Sequence, residues 1–128
     1  MATPGRITVV GACAVDLTVV ETLRRSGFDG HLTVIGEEPH LPYDRPPLSK
    51  EVLSGAWPEE RVQLRPAAAV EALGLDLRLG VRATGLDRTH RRVLLSDGSR
   101  AGYDELVIAT GTRPRRLPGP RASPACTC

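Results

Sequence analysis

The chain reads as an α/β protein: a three-layer domain on a parallel sheet, with an antiparallel excursion between about Val81 and Leu95. Three observations predict this. The runs RITVV (Arg6 to Val10), HLTVI (His31 to Ile35) and ELVIAT (Glu105 to Thr110) are short, β-branched and nearly continuous in apolar character. That is the pattern of strands covered on both faces of a parallel sheet. A helical stretch separates the first two runs, so strand, helix and strand fall within about 30 residues, the span of a βαβ unit. Each run is also stopped by a glycine: Gly11, Gly36 and Gly111.

The first helix is expected from Cys13 to about Ser26, with Gly27 as its C-terminal stop. Pro39, Pro42, Pro46 and Pro47 keep Glu38 to Pro47 extended, because each fixes its own φ and restricts the residue before it. Leu48 to Leu53 is read as a short helix, with Ser49 near its start and Gly55 past its end. Pro66 to Leu73 is read as another, opened by Pro66 and closed by Gly74. Short strands are expected at Asp76 to Leu79, Val81 to Leu86 and Arg92 to Leu95, followed by a tight turn at Asp97-Gly98. Beyond Arg113 the prolines 114, 118, 120 and 124 leave no periodicity. The domain is therefore expected over residues 1–118 and an irregular tail over 119–128.

Composition narrows the function. A length of 128 residues fits one domain, and 41% hydrophobic with 25% charged residues is ordinary for a globular chain. No apolar run approaches the ~18–20 residues of a membrane span. Met1 to Arg6 lacks the charged region and apolar core of a secretory signal, so a cytoplasmic chain without a membrane partner is expected. The aromatic residues are only Phe28, Tyr43, Trp57 and Tyr103, too few for a base-stacking nucleic-acid platform. The net charge of +2 comes from Arg113, Arg115, Arg116 and Arg121, which no acid accompanies. Lys50 is the one lysine among 17 cations. Cys13, Cys126 and Cys128 are an odd set without neighbouring ligands, so neither a disulfide framework nor a metal is expected.

Three segments carry candidate chemistry. The first βα turn, Gly11-Ala12-Cys13-Ala14-Val15-Asp16, is set against the template G-x-G-x-x-G/A. There, glycines allow a tight turn, a close approach to pyrophosphate and close helix packing. Gly11 matches, Cys13 is small, and Asp16 does not match. On these residues alone the turn is either a nucleotide cradle or plain βα packing. Glu37 lies about 20 residues further on, past the second strand, where an acid takes ribose hydroxyls; a solvated turn is the alternative. Glu37 to Lys50 is a proline-stiffened path carrying Arg45 and Lys50. It could hold cations against an anionic, planar ligand at low entropic cost, or be a surface loop.

The runs PHLPYDRPPLSKEVLSG, GLDLRLGVRATGLD and ELVIATGTRPRRLPG together resemble the N-terminal FAD-binding segment of NAD(P)H-dependent ferredoxin reductases. These are of the putidaredoxin-reductase type, with apoptosis-inducing factor a relative, and the resemblance extends from about Arg6 to Pro118. It implies a Rossmann-like FAD-binding domain. Gly11, Cys13 and Ala14 would line the pyrophosphate and Glu37 would bind the ribose. Arg45 and Lys50 would contact FAD, with Lys50 near the flavin ring. Arg82 would offer backbone to the adenine, Ala109, Thr110 and Gly111 would close over the cofactor, and Arg113 would neutralise phosphate. In the family, a hydride passes from NAD(P)H to FAD and single electrons pass on to a ferredoxin-type iron–sulfur protein. No side chain reads as a general base or nucleophile, so no catalytic residue is assigned.

The resemblance has two departures. Family members are several times longer, with a second nucleotide domain, so this chain reads as a truncated portion not competent for turnover by itself. The alternative is a non-catalytic remnant that binds FAD poorly or not at all. The second departure is Asp16, where the family has Gly or Ala. On the helix it precedes Val19, Val20 and Leu23 by three, four and seven positions, so it shares the stripe that faces the sheet. At ~5–6 Å and an effective dielectric near 20, each charge pair with a pyrophosphate would cost roughly 3 kcal/mol before screening. An acid in the first turn recovers only about 0.3–1 kcal/mol from the helix dipole. Poor FAD affinity is the expectation.

Overall fold

The computed structural model describes residues 4–113 and 115. The expected boundary at 118 and the tail, with Cys126 and Cys128, lie outside the described residues. In chain order the elements are β1 (Arg6–Val10), α1 (Ala14–Arg25), β2 (His31–Gly36), α2 (Ala67–Glu71), β3 (Leu75–Leu79), β4 (Ala83–Asp87), β5 (Arg92–Leu95), β6 (Arg100–Gly102) and β7 (Glu105–Ile108). Four strands form a parallel sheet in the order β3-β2-β1-β7, and β4-β5-β6 form a second, antiparallel sheet. Val10 stands opposite Ile35 on one side and Ile108 on the other.

Because side chains alternate across a strand, the apolar runs of β1 and β2 supply two cores at once. Ile7, Val9, Leu32 and Val34 pack with Leu17 and Val20 of α1, joined by Leu64 and Leu73. Val10 and Ile35 face the other way and pack with Val93, Leu95 and Ala101 of the second sheet. The three layers are thus helix, parallel sheet and antiparallel sheet, which is why these strands show no polar alternation. Thr8, fully buried among them, satisfies its hydroxyl on the Gly102 carbonyl at 3.1 Å.

Three local readings differ from the structure. Leu48 to Leu53 is not an α-helix: a 3₁₀ turn at Pro46–Ser49 leads into linked turns through Gly55. The hydrogen bonds there close over three residues (Lys50 to Pro47), four (Ser54 to Lys50) and five (Val52 to Pro47). The apolar spacing has no core to meet, since Leu53 is 79% exposed. β4 begins at Ala83 rather than Val81, because the Val81 N–H is already bonded to the Gly36 carbonyl at 3.0 Å. β6 was not expected, as three residues are too few to show a period.

A second 3₁₀ turn at Glu59–Val62 anchors the proline-rich segment, with Asp44 N–H donating to the Val62 carbonyl and Leu64 N–H to that of Pro42. Arg24, in the last turn of α1, works as a clamp. Its guanidinium donates to the carbonyls of Leu73, Phe28, Gly30 and Gly74 at 2.8, 2.8, 2.9 and 3.2 Å. One side chain thereby joins the helix end, the entry to β2 and the loop before β3. Asp104 does similar work at the opposite corner, accepting the N–H groups of Gly5 and Arg6 at 2.9 and 2.8 Å.

Candidate functional site

From β1 the chain moves outward through β2 to β3, and only β7 returns to the other side of β1. The C-terminal ends of β1 and β7 therefore mark a topological switch point, where loops diverge and leave a crevice. Gly11 sits at its lip with φ +136°, a conformation that favours glycine. Its N–H donates to the Ile35 carbonyl at 2.8 Å, and Ala109 N–H donates to the Val10 carbonyl at 2.9 Å. A Cβ on Gly11 would lie 2.6 Å from the Ala109 oxygen, so two strand ends and the βα turn meet where no side chain fits.

Two cavities open here. One, of about 280 Å³, is bounded by Val10, Gly11, Ile35, Glu37, Val81, Arg82, Ala83, Thr110 and Arg113. The other, of about 530 Å³, is bounded by Ala12, Cys13, Glu37, Glu38, Arg45, Ala109 and Arg113. Glu37 and Arg113 border both. Seven of the residues singled out from the sequence are thus brought together. Ala14, Lys50 and Gly111 border neither cavity: Ala14 is the exposed first residue of α1, Lys50 is exposed after the 3₁₀ turn, and Gly111 follows Thr110. Arg82 is the eighth at the crevice, and its backbone is engaged by Ser96. Its N–H donates to the Ser96 hydroxyl at 3.0 Å and its carbonyl accepts from Ser96 N–H at 2.8 Å. What Arg82 presents is its side chain, 3.8 Å from Glu37.

The electrostatics divide the two glutamates. Glu38 is engaged: Tyr43 donates its hydroxyl at 2.6 Å and Arg45 donates from Nη2 at 2.8 Å. The hydrogen bond to Glu38, helped by burial, holds the Tyr43 phenol above its ordinary range. The same carboxylate raises the Arg45 guanidinium, whose carbon lies 5.9 Å from the centre of the Tyr43 ring. Glu37 is exposed, and among the described residues its only ion pair is the long contact to Arg82. Sequence reasoning missed this Glu38–Tyr43–Arg45 cluster, although the proline spacing that folds Tyr43 and Arg45 back towards β2 was visible.

Asp16 is fully buried. Its Oδ2 accepts the Cys13 N–H and the Cys13 thiol, each at 2.9 Å. Its Oδ1 has no hydrogen-bond partner among the described residues. Both oxygens would lie 2.7 Å from a Cβ on Gly11, so the carboxylate fills the space beneath the turn. This is a capping box, with the N3 acid reaching back to the N-cap backbone and the N3 backbone facing the Cys13 side chain, and the Cys-x-x-Asp spacing could have revealed it. For FAD the fit is divided. The adenosine end has a cavity with an accessible carboxylate at Glu37. The diphosphate end does not fit, because the Cys13 N–H is directed inward and a carboxylate already lies against the turn.

Residues 5–127 match the family described as pyridine nucleotide-disulphide oxidoreductase. The ferredoxin–NAD(+) reductase component of the p-cumate 2,3-dioxygenase system of Pseudomonas putida is 42% identical over 114 residues, covering 88% of this chain and 28% of that protein. Putidaredoxin reductase of the same organism is 38% identical over 112 residues, covering 88% and 26%. The chain thus spans little more than a quarter of the length of these relatives. Among solved structures, the covalent putidaredoxin reductase–putidaredoxin complex superposes with a TM-score of 0.84 at 38% identity, over 89% of this chain and 27% of that one. Among the described residues no helix is long and apolar enough to cross a membrane.

Proposed function

Since the chain belongs to the pyridine nucleotide-disulphide oxidoreductase family, we propose that it forms the FAD-binding portion of an NAD(P)H-dependent ferredoxin reductase. The observation that carries this is the meeting of Gly11, Glu37 and Thr110 around one cavity at the switch point of the sheet. In this reading Glu37 accepts the ribose hydroxyls, and Gly11, Ala109, Thr110 and Gly111 let the main chain approach the nucleotide closely. Arg113 and Arg45 supply positive charge, Ala14 lies at the helix start, and Lys50 belongs to the flavin side. The electron acceptor is a ferredoxin-type iron–sulfur protein. Glu37→Ala is expected to weaken adenosine binding by about 1.5–3 kcal/mol, the range for hydrogen bonds to a charged group. Calorimetric titration of both forms checks this, and equal affinities would remove Glu37 from the site.

The 128-residue chain by itself is expected not to turn over NAD(P)H. Beyond the turn at Gly11 its sequence carries no second G-x-G-x-x-G/A fingerprint that would hold a nicotinamide at reacting distance from a flavin. NADH oxidation with an added ferredoxin is expected to stay at the rate of a free-flavin control; a clear excess over that control would refute the expectation. One observation favours a second reading. The buried Asp16 beneath the turn is what a non-catalytic chain that binds FAD poorly would carry. Reconstitution with FAD separates the two: a yellow protein after gel filtration supports the first, a colourless one the second.

A further inference from the structure

At a helix start that is open to a ligand, the first N–H groups point outward and the dipole draws an anion to them. In this chain the Asp16 carboxylate lies buried behind that helix start and turns the N–H of the N-cap residue, Cys13, inward. It collects the Cys13 N–H and thiol from within, and it keeps one oxygen unpartnered among the described residues. A phosphate approaching the turn meets an anion beneath it, in a place closed to water where charge is poorly screened. The nearby cations do not reverse this: Arg45 is held by Glu38 at 2.8 Å, Arg82 faces Glu37 at 3.8 Å, and Arg113, which borders both cavities, is exposed, where solvent screens its charge more than that of the buried Asp16. The adenosine end escapes the conflict. A nucleoside is neutral, and the smaller cavity offers it Glu37 and the apolar wall of Val81 and Ala83.

We infer that the site selects the neutral nucleoside part of an adenine ligand and discriminates against the diphosphate that follows it, with Asp16 as the discriminating residue. This rests on the adenine-nucleotide reading of the crevice. It goes further by naming the ligand class the chain takes as it stands: adenine nucleosides ahead of adenine dinucleotides.

The test is calorimetric titration of adenosine, ADP and FAD into the chain and into Asp16→Asn and Asp16→Gly. Circular dichroism establishes that each variant is folded. Asp16→Asn keeps the shape and an acceptor for the Cys13 N–H while removing the charge, so it guards against loss of fold in Asp16→Gly. The parent is expected to bind adenosine at least about tenfold more tightly than ADP, and either substitution to raise ADP and FAD affinity by roughly ten- to a thousandfold. Adenosine affinity is expected to stay within about twofold, since no charge on the nucleoside senses the substitution. If the parent binds ADP and FAD as well as adenosine, or if Asp16→Asn leaves the ADP-to-adenosine ratio unchanged, the inference falls while the nucleotide reading stands. If no adenine ligand binds any of the three folded proteins, the nucleotide reading fails and takes the inference with it.

Discussion

Gly11→Ala is expected to lower the thermal midpoint by more than ~10 °C, on a scale of about 4–8 °C per kcal/mol for a small domain. The backbone there, at φ +136°, is one that a residue with a Cβ adopts only under strain of roughly 1–3 kcal/mol. The new methyl also has nowhere to go. It would lie 2.6 Å from the main-chain oxygen of Ala109 and 2.7 Å from the Asp16 carboxylate. The first neighbour cannot retreat, because Ala109 is fastened to β1 through its N–H on Val10. A second substitution decides which neighbour matters more. Adding Asp16→Gly to Gly11→Ala removes the carboxylate but leaves the carbonyl and the strained φ, so it should recover less than half of the loss. Melting curves of the single and double variants, followed by circular dichroism, give the answer. Full recovery would show that the turn is crowded by Asp16 alone.

The second large effect is expected at Arg24. Arg24→Ala removes four hydrogen bonds to carbonyls on two separate segments, along with the packing of the guanidinium on Phe28. Water replaces part of what is lost, so the net cost should be about 2–4 kcal/mol rather than the sum of four charged bonds. Arg24→Lys should retain less than half of the wild-type advantage. An ammonium is a point donor on a flexible stem, whereas these carbonyls are spread around a planar fork. Urea unfolding of the three proteins measures it. A lysine variant within about 0.5 kcal/mol of the parent would mean that the fork geometry of the guanidinium is not what holds these carbonyls.

The comparison of sequence with structure follows from where each signal is stored. β1 and β2 were legible because a strand covered on both faces must be apolar throughout, whatever its partners; β7 carries a similar apolar run although its Ile108 is exposed. The burial of Asp16 was legible because a helical stripe is a local property: Leu17 and Val20 are buried beside it, and Val19 and Leu23 partly so. Its hydrogen bond back to Cys13 was not weighed, although the spacing was present. The segment from Leu48 to Leu53 misled because periodic leucines indicate a helix only if a core covers them, and Leu53 stays 79% exposed. The grip of Arg24 could not be read at all. Its partners lie at residues 28, 30, 73 and 74, and no local pattern announces that these carbonyls converge. At the crevice, residue identities were legible and engagements were not. Glu37 and Glu38 are adjacent in sequence, yet only the fold ties one to Tyr43 and Arg45 and leaves the other exposed.

The order β3-β2-β1-β7 also sets a timetable for synthesis. β1 receives β2 as a neighbour soon after it is made, but its other edge waits for β7, roughly seventy residues after β2 ends. At about 5–20 residues per second on a ribosome, that wait lasts several seconds. Through it, β1 is a finished strand with one row of unpaired N–H and C=O groups, flanked by Val9 and Val10, which are buried in the final fold. Such an edge invites any other extended chain nearby. The wait ends at one corner: Asp104 and Glu105 arrive together, the first taking the N–H groups of Gly5 and Arg6 and the second opening the ladder against Ile7. The nascent protein therefore depends on protection of the open edge of β1 until β7 has been translated.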